Sequence, residues 1–264
     1  MTKVVAFFHF GAYNWSKFKK EWCDMTLFLT SSPCVCNAPR AILNPENDFV
    51  DRMKQHLPEH PRCLFICADP DSHDMTDGFG RDMYLAFREA GMEFSDFAVL
   101  DGRNEDDAQM LIWQSDLIIM AGGHVPTQNA FFRKIGLRTM IRNYQGVVMG
   151  ISAGTMNCAE RVYSQPEEPG ESVPEFERFL EGLGLTDVNV LPHYQQVKDN
   201  MLDGMRLFED VTYADSMGEC FLALVDGSYV LVEDGVSTLF GEAYFIRDAR
   251  LQQICRLGDS LILE

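Results

Sequence analysis

The sequence predicts a doubly wound α/β sandwich, in which helices cover both faces of a mostly parallel sheet. From about residue 24 onward, short runs rich in Val, Ile and Leu alternate with stretches that have helical spacing. Uninterrupted apolar runs are typical of strands buried on both faces, and strand–helix alternation indicates βαβ units. The chain has 264 residues, of which 46% are hydrophobic, and this is enough for one large core. We therefore predict a single α/β domain over residues 1–264.

These patterns predict five strands and five helices in the first 161 residues. Apolar runs predict strands at residues 25–30, 62–68, 97–100, 116–120 and 146–151. Helical spacing predicts helices at residues 47–57, 75–90, 106–114, 127–142 and 153–161, the first of them capped by Asn47. Ligands of such sheets bind beyond the carboxyl ends of the strands, so the residues at those ends are candidates for function.

The last hundred residues have a different pattern. A stretch rich in Pro, Glu and Gly at 164–184 predicts a surface loop with a short helix, followed by a short strand at 188–191 and a helix at 199–209. Apolar and polar residues then alternate at 219–225, 228–233 and 243–246. The dipeptides Asp226–Gly227 and Asp234–Gly235 are typical of hairpin turns. We expect a C-terminal antiparallel β-hairpin extension of the same sheet.

The charge balance excludes some partners. Asp and Glu number 40 against 22 Lys and Arg, which gives a net charge of −18, and the densest basic run is KFKK at 17–20. A nucleic-acid or anionic membrane partner would need clustered basic residues. No run approaches the roughly 18 apolar residues of a membrane span, and the N-terminus lacks the order of a signal peptide. We therefore predict an unprocessed cytoplasmic protein with no nucleic-acid or membrane partner.

The cysteines predict neither disulfides nor a metal site. Cys34 and Cys36 form a CxC, and Cys63 and Cys67 form a CxxxC, but neither pair has the second half of a zinc motif. In a cytosolic chain such residues are mostly reduced and buried. We expect no metal and no cofactor. The remaining cysteines are Cys23, Cys158, Cys220 and Cys255.

The clearest chemical signal is the pentapeptide GISAG at residues 150–154, between an apolar strand and a helix. In that context G-x-S-x-G is a nucleophile elbow, where small neighbours permit a tight turn and Ser152 projects its hydroxyl outward. The N–H groups that open the helix, starting at Ala153, would face the reacting carbonyl oxygen. The alternative is a turn of small residues that only packs a helix on the sheet.

A serine nucleophile needs a base, and His193 is the first candidate. It follows the strand at 188–191, at the same sheet edge as Ser152, and it is the only histidine after the serine. His124 competes because it also follows a strand. Asp226 is the candidate for the acid that orients the imidazole, with Glu219 in reserve. A role for Asp226 in a hairpin turn alone is the alternative.

A glycine pair supplies candidate oxyanion donors. Gly122 and Gly123 follow the strand at 116–120, directly before His124. Glycine lets a backbone approach a ligand closely, so their N–H groups and that of Ala153 could together form the hole. The chain contains neither GxGxxG nor GxxxxGK[ST], so a phosphate-binding loop is not indicated.

This arrangement resembles the peptidase E family of serine peptidases, to which aspartyl dipeptidase and cyanophycinase are related. The resemblance extends over about residues 24–246, and the order Ser, His, acid distinguishes it from α/β-hydrolases. It implies a three-layer α/β/α, flavodoxin-like fold related to the glutamine amidotransferase domain. It also implies an acyl-enzyme mechanism that hydrolyses small peptides, dipeptides with an acidic N-terminal residue among them.

The resemblance further implies roles for single residues. By position, Ser152, His193 and Asp226 match the triad, and Gly122 and Gly123 match the oxyanion loop. Three residues match the family's substrate-binding elements. Glu167 would bind a substrate amino group, and Arg206 would face a substrate carboxylate. The third is His124, which directly follows Gly123.

Two classes of function follow from these residues. The first is a cytosolic serine peptidase with a Ser-His-Asp triad. The second is a non-catalytic small-molecule binding or regulatory protein on the same fold. The second is favoured by the sequence GHVP at 123–126, where the family has Gly-Asn-Thr. A glutamine amidotransferase would require Cys in place of Ser152. Edge strands and the acidic loop are compatible with a homodimer.

Overall fold

The computed structural model describes residues 25–263, and five parallel strands form the centre of the main sheet in that range. Their spatial order is β1-β5-β4-β2-β3. Four of them are buried almost throughout, as the uninterrupted apolar runs predicted, whereas β3 is half-buried because it lies at the edge. The bounds are β1 Thr26–Thr30, β2 Arg62–Ile66, β3 Asp96–Leu100, β4 Leu117–Met120 and β5 Val147–Ile151.

Helices cover both faces of this sheet, which gives the predicted three layers. Phe28 of β1 packs in a cluster with Phe49, Met53 and Phe87 on one face. Leu27 and Leu29 of the same strand pack on the other face, because successive strand residues point to opposite sides. The helices are α1 Phe49–His56, α2 His73–Glu89, α3 Ala108–Gln114, α4 Val125–Lys134, α5 Leu137–Ile141, α6 Ala153–Met156, α7 Tyr194–Val197 and α8 Tyr213–Asp215.

Three antiparallel strands extend the main sheet, so an antiparallel C-terminal extension is confirmed, but only one of its predicted strands, 228–233, takes part. The predicted strands 219–225 and 243–246 belong to a different sheet. β12 (Tyr229–Glu233) pairs with β1, β13 (Val236–Phe240) pairs with β12, and β16 (Ser260–Leu263) pairs with β13. Asp234 and Gly235 form the turn between β12 and β13, both with positive φ (48° and 73°). This conformation is the one for which Asp-Gly is favoured in hairpins.

A second, four-stranded sheet was not predicted. Its order is β15-β14-β11-β8, and β8 and β11 are parallel neighbours. The strand β11 lies in this sheet, whereas β12 lies in the main sheet. The predicted hairpin with its turn at Asp226–Gly227 is therefore wrong. The dipeptide instead connects the two sheets. The bounds are β8 Val190–Leu191, β11 Cys220–Leu224, β14 Ala243–Arg247 and β15 Arg250–Cys255.

Several helix predictions are wrong for local reasons. Residues 199–209 form a hairpin of β9 (Met201–Leu202) and β10 (Met205–Arg206), followed by a π-helix at Leu207–Thr212. Asp203 and Gly204 have positive φ (52° and 80°), so an Asp-Gly turn overrides the helical spacing. The predicted helix at 127–142 is divided between α4 and α5 by Gly136, whose φ is +70°.

The helix after Ser152 is also shorter than predicted and ends at Met156. Backbone N–H groups of Gly182, Leu183, Gly184 and Leu185 bind the carbonyl groups of residues 157–160, which a longer helix would have used. The stretch 164–184 has no helix and instead contains β7 (Phe179–Glu181), which pairs with β6 (Arg161–Tyr163). Asn47 lies inside a 3-10 turn (Glu46–Asp48) with φ of 57°, so it does not cap α1.

Among residues 25–263, no helix is both long enough and apolar enough to cross a membrane. All seven described cysteines have free thiols, and Cys63, Cys67, Cys158 and Cys255 are buried. The predictions for the N-terminal run, the KFKK segment and Cys23 lie outside the described residues.

Candidate active site

Ser152 lies at a strained turn between β5 and α6, which is the geometry of a nucleophile elbow. Its φ and ψ are 51° and −111°, a combination that a side-chain-bearing residue adopts only when its surroundings force it. The two flanking glycines explain the motif. A Cβ on Gly150 would lie 2.6 Å from Thr155 Cα, and one on Gly154 would lie 2.3 Å from the Met120 carbonyl oxygen. Neither position has room for a larger residue.

The glycine pair after β4 lies against this elbow. A Cβ on Gly122 would be 3.3 Å from the Cβ of Ser152. A Cβ on Gly123 would be 2.4 Å from the Cβ of Ala68, so the loop requires glycine there too. Ala153, the first residue of α6, is fully buried. The predicted oxyanion residues thus adjoin the candidate nucleophile.

His193 and Asp226 meet at the carboxyl ends of neighbouring strands. The parallel pairing of β8 and β11 brings Leu191 opposite Ala223, and the chain continues from each strand toward the same edge. The Nδ1 atom of His193 lies 2.7 Å from Asp226 Oδ1. The Asp226 side chain is 2% exposed and that of His193 is 30% exposed. A buried acid therefore orients an accessible imidazole.

Several donors converge on the Asp226 carboxylate. Ser31 Oγ donates to Oδ1 at 2.7 Å, and Gln195 Nε2 donates to Oδ2 at 2.7 Å, with Gln196 and the Cys36 thiol also at Oδ2. Burial alone would raise the pKa of Asp226. The hydrogen bond and charge of His193, with the bonds from Ser31 and Gln195, outweigh it and lower the pKa to about 2.

Ser31 is the residue that sequence reasoning missed. It is fully buried, and its Oγ accepts the His193 N–H at 2.7 Å while donating to Asp226. Its carbonyl oxygen accepts the Ser152 N–H at 3.2 Å. One residue at the carboxyl end of β1 thus contacts all three predicted triad members. Its position beyond a buried strand is the signal that could have identified it.

The comparisons with known proteins identify the family. The model of peptidase family S51 matches residues 27–240, which is most of the chain. The chain belongs to peptidase family S51. It is accordingly a serine-type peptidase. Among curated proteins, none matches the chain with significance.

Two solved structures share the fold. A peptidase from an acI-B1 actinobacterium aligns over 91% of this chain and 97% of its own, with a TM-score of 0.65 and 16% identity. A protein of Listeria monocytogenes EGD-e assigned to peptidase E aligns over 88% of this chain and 100% of its own, with a TM-score of 0.56 and 14% identity. At these identities the likeness establishes the architecture alone.

A second group of ionisable residues lies at the rim of this S51 site. His124 Nε2 lies 2.8 Å from Glu171 Oε1, and His124 Nδ1 lies 2.8 Å from Thr127 Oγ1. Glu167 is an exposed residue, and partial desolvation of its carboxyl group raises its pKa to about 7. The charges of His124 and His193 act in the opposite direction and lower the pKa of Glu167, so both imidazoles lie near its carboxyl group.

The remaining predicted residues have other partners. Arg206 is on β10, not on a helix, and its Nε lies 3.0 Å from Asp210 Oδ2. Glu219, the reserve acid, forms an ion pair with Arg161. Asp226 is therefore the acid bonded to His193.

In the described part of the chain, no hydrogen bond joins the Ser152 hydroxyl to His193. Hydrogen bonds between a nucleophile and its base commonly tighten only when substrate binds. The candidate base His193 is thus oriented by Asp226, and the candidate nucleophile Ser152 is held in a strained turn.

Proposed function

We propose that this S51 peptidase hydrolyses short peptides through an acyl-enzyme, with Ser152 as nucleophile, His193 as base and Asp226 as the residue that orients His193. The observation that carries the proposal is the 2.7 Å contact between His193 Nδ1 and the buried Asp226. With Nδ1–H donated to Asp226, Nε2 remains as the basic nitrogen for the Ser152 hydroxyl.

The reaction follows from these roles. Ser152 Oγ attacks the peptide carbonyl carbon while its proton passes to His193 Nε2. The carbonyl oxygen becomes an oxyanion, for which the N–H groups of Gly122, Gly123 and Ala153 are the candidate donors. His193 returns the proton to the departing amine, and the C–N bond breaks. Water, deprotonated by His193, then releases the acid product and restores Ser152.

The substrate class follows from the charges at the rim. Glu167 has a pKa raised to about 7 and lies near His124 and His193, and its ionised form suits the ammonium group of a peptide's N-terminal residue. This favours dipeptides and other short peptides with a free amino group. If the enzyme prefers substrates with an acidic side chain, Arg206 would have to bind that side chain. Because its guanidinium already binds Asp210, we propose free-amino recognition as the stronger determinant.

A matched substrate panel tests the proposal. Asp-Leu, Ala-Leu and Lys-Leu are offered to the wild type, with N-acetyl-Ala-Leu as the uncharged control for the amino group. Ser152→Ala should lower kcat on every substrate by at least about 10⁴-fold, and N-acetylation should raise KM for the wild type. Equal residual rates in wild type and Ser152→Ala would overturn the assignment.

Glu167 has its own arm of this test. Glu167→Gln should raise KM for Ala-Leu and leave the weak activity on N-acetyl-Ala-Leu unchanged, because only the free amine needs a counter-charge. A proportional loss on both peptides would show that Glu167 does not recognise the amino group.

A further inference from the structure

The side chains of His124, Glu168 and Glu171 bring a nitrogen and two carboxylate groups together outside the triad. One ligand-type atom from each residue lies within 4.8 Å of the others. His124 Nε2 and Glu171 Oε1 are already 2.8 Å apart. In a tetrahedral zinc site with bonds of about 2.0 Å, neighbouring ligand atoms lie about 3.3 Å apart. A small movement of the exposed Glu168 side chain would therefore complete the set.

Residues around the set orient two of these ligands. In the observed contact with Glu171, His124 Nε2 carries the proton. When an ion displaces that proton, Nδ1 can hold its own proton toward Thr127 Oγ1, 2.8 Å away, and Nε2 binds the ion through its lone pair. The backbone N–H groups of Glu167 and Glu168 donate to Glu171 Oε2 at 2.8 Å and 3.0 Å. Oε1 is therefore the Glu171 oxygen that can bind an ion. Partners of this kind on a histidine and a carboxylate are the usual outer shell of a metal site.

Burial and charge also fit a cation. The side chains of His124 and Glu171 are only 24% and 13% exposed, so both are held in place before any ion arrives. Glu168 is exposed and supplies the open side. The group brings two carboxylates together, and a divalent cation bound between them would offset their charge.

We propose that His124, Glu168 and Glu171 form a binding site for one divalent transition-metal ion, with Zn²⁺ the best match to an imidazole and two carboxylates. The ion would take His124 Nε2, Glu171 Oε1 and a Glu168 oxygen as ligands, with water in the remaining position. The site lies next to Gly123 in the chain and beside Glu167, at the rim of the candidate active site.

Calorimetric titration of the metal-free protein with ZnCl₂ tests the site directly. The wild type should bind Zn²⁺ at this site, and Glu168→Gln and His124→Gln should each lower its affinity by at least about tenfold. Thr127→Val, which keeps all three ligands, should lower it by about tenfold because the imidazole loses its outer partner. Thermal unfolding of the metal-free variants verifies that each is folded.

Two controls separate this site from other zinc ligands. Glu175→Gln alters an exposed acid of the same loop and should leave binding unchanged, as should Cys36→Ser, which removes the exposed thiol. Wild-type affinity in Glu168→Gln and His124→Gln would overturn the proposal. So would loss of binding in Cys36→Ser alone.

A second readout depends on the proposed function. Zn²⁺ beside Glu167 should compete with a substrate ammonium group, so it should raise KM for Ala-Leu in the wild type and have little effect in Glu168→Gln. Binding without inhibition would leave the metal site standing and count against amino-group recognition by Glu167. Absence of Zn²⁺ binding by the wild type would count against the metal site alone.

Discussion

Ser31 connects the parts of the site at the scale of single residues. Replacing this buried residue with Ala leaves the His193 N–H without its acceptor and removes one donor from Asp226. Ser31→Ala should therefore lower kcat by roughly 10- to 100-fold with little change in KM, because His193 loses part of its positioning. It should also cost about 1–3 kcal/mol of unfolding free energy, the usual penalty of an unsatisfied buried group.

Ser32→Ala is the matched control for this measurement. The Ser32 hydroxyl contacts the nearby backbone of Cys34. Its removal should leave steady-state kinetics unchanged. Equal kcat values for Ser31→Ala and Ser32→Ala would show that the Ser31 bridge does not position His193.

Asp226 gives a prediction about pH. Its pKa falls from an ordinary 3.8 to about 2 in the folded protein, so the ionised carboxylate stabilises the fold above pH 4, and this contribution is lost as the pH falls through about 2. Near pH 6, Asp226→Asn should be less stable than the wild type by about 2 kcal/mol. Near pH 3 the difference should be about half as large.

Urea unfolding at a series of pH values measures this difference. A gap between wild type and Asp226→Asn that stays constant from about pH 6 to about pH 3 would contradict an ionised, hydrogen-bonded Asp226.

At the scale of elements, the elbow depends on how closely β5, α6 and β4 approach. A methyl group at Gly154 would lie 2.3 Å from a backbone oxygen of β4, which cannot move aside without distorting the sheet. Gly154→Ala should lower the unfolding free energy by more than about 2 kcal/mol, as overpacking does. Gly78→Ala in α2 is the control, because a Cβ there meets nothing within 4 Å.

Gly78→Ala should be neutral or stabilising by up to about 1 kcal/mol, since alanine is the better helix residue. Thermal unfolding midpoints measure both variants. A midpoint for Gly154→Ala as high as that of Gly78→Ala would show that the elbow is not tightly packed.

The central strands and the elbow could be predicted from the sequence because both depend on local pattern. Uninterrupted apolar runs predicted the buried strands β2, β4 and β5. Small residues around Ser152 predicted the tight turn. The hairpin of β9 and β10 was missed because helical spacing was preferred to the Asp203–Gly204 turn. The second sheet was missed because β8 and β11 pair across about 30 residues, and spacing along the chain does not show such a pairing.

At the scale of the whole molecule, the candidate site forms where two sheets meet. Ser152 comes from the end of β5 in the main sheet, whereas His193 and Asp226 follow β8 and β11 of the second sheet. Ser31, at the end of β1, contacts residues from both. The sequence could indicate that all these residues follow strands, but not that the strands belong to different sheets.

The net charge of −18 gives a prediction at the same scale. An acidic surface repels an anionic substrate, and salt screens that repulsion beyond about 10 Å at 0.1 M. Raising the ionic strength should therefore lower KM for Asp-Leu roughly two- to threefold more than KM for the neutral Ala-Leu. Steady-state kinetics over a salt series measures both peptides. An identical salt response would show that local charges, not the surface, determine substrate approach.

The nucleophilic role of Ser152 is the central claim, and covalent labelling tests it most directly. A fluorophosphonate probe is incubated with the wild type and with Ser152→Ala, and the modified residue is located by mass spectrometry. The account predicts one phosphonylated residue, Ser152, and no labelling of the variant. Labelling of any other residue, or equal labelling of Ser152→Ala, would contradict it.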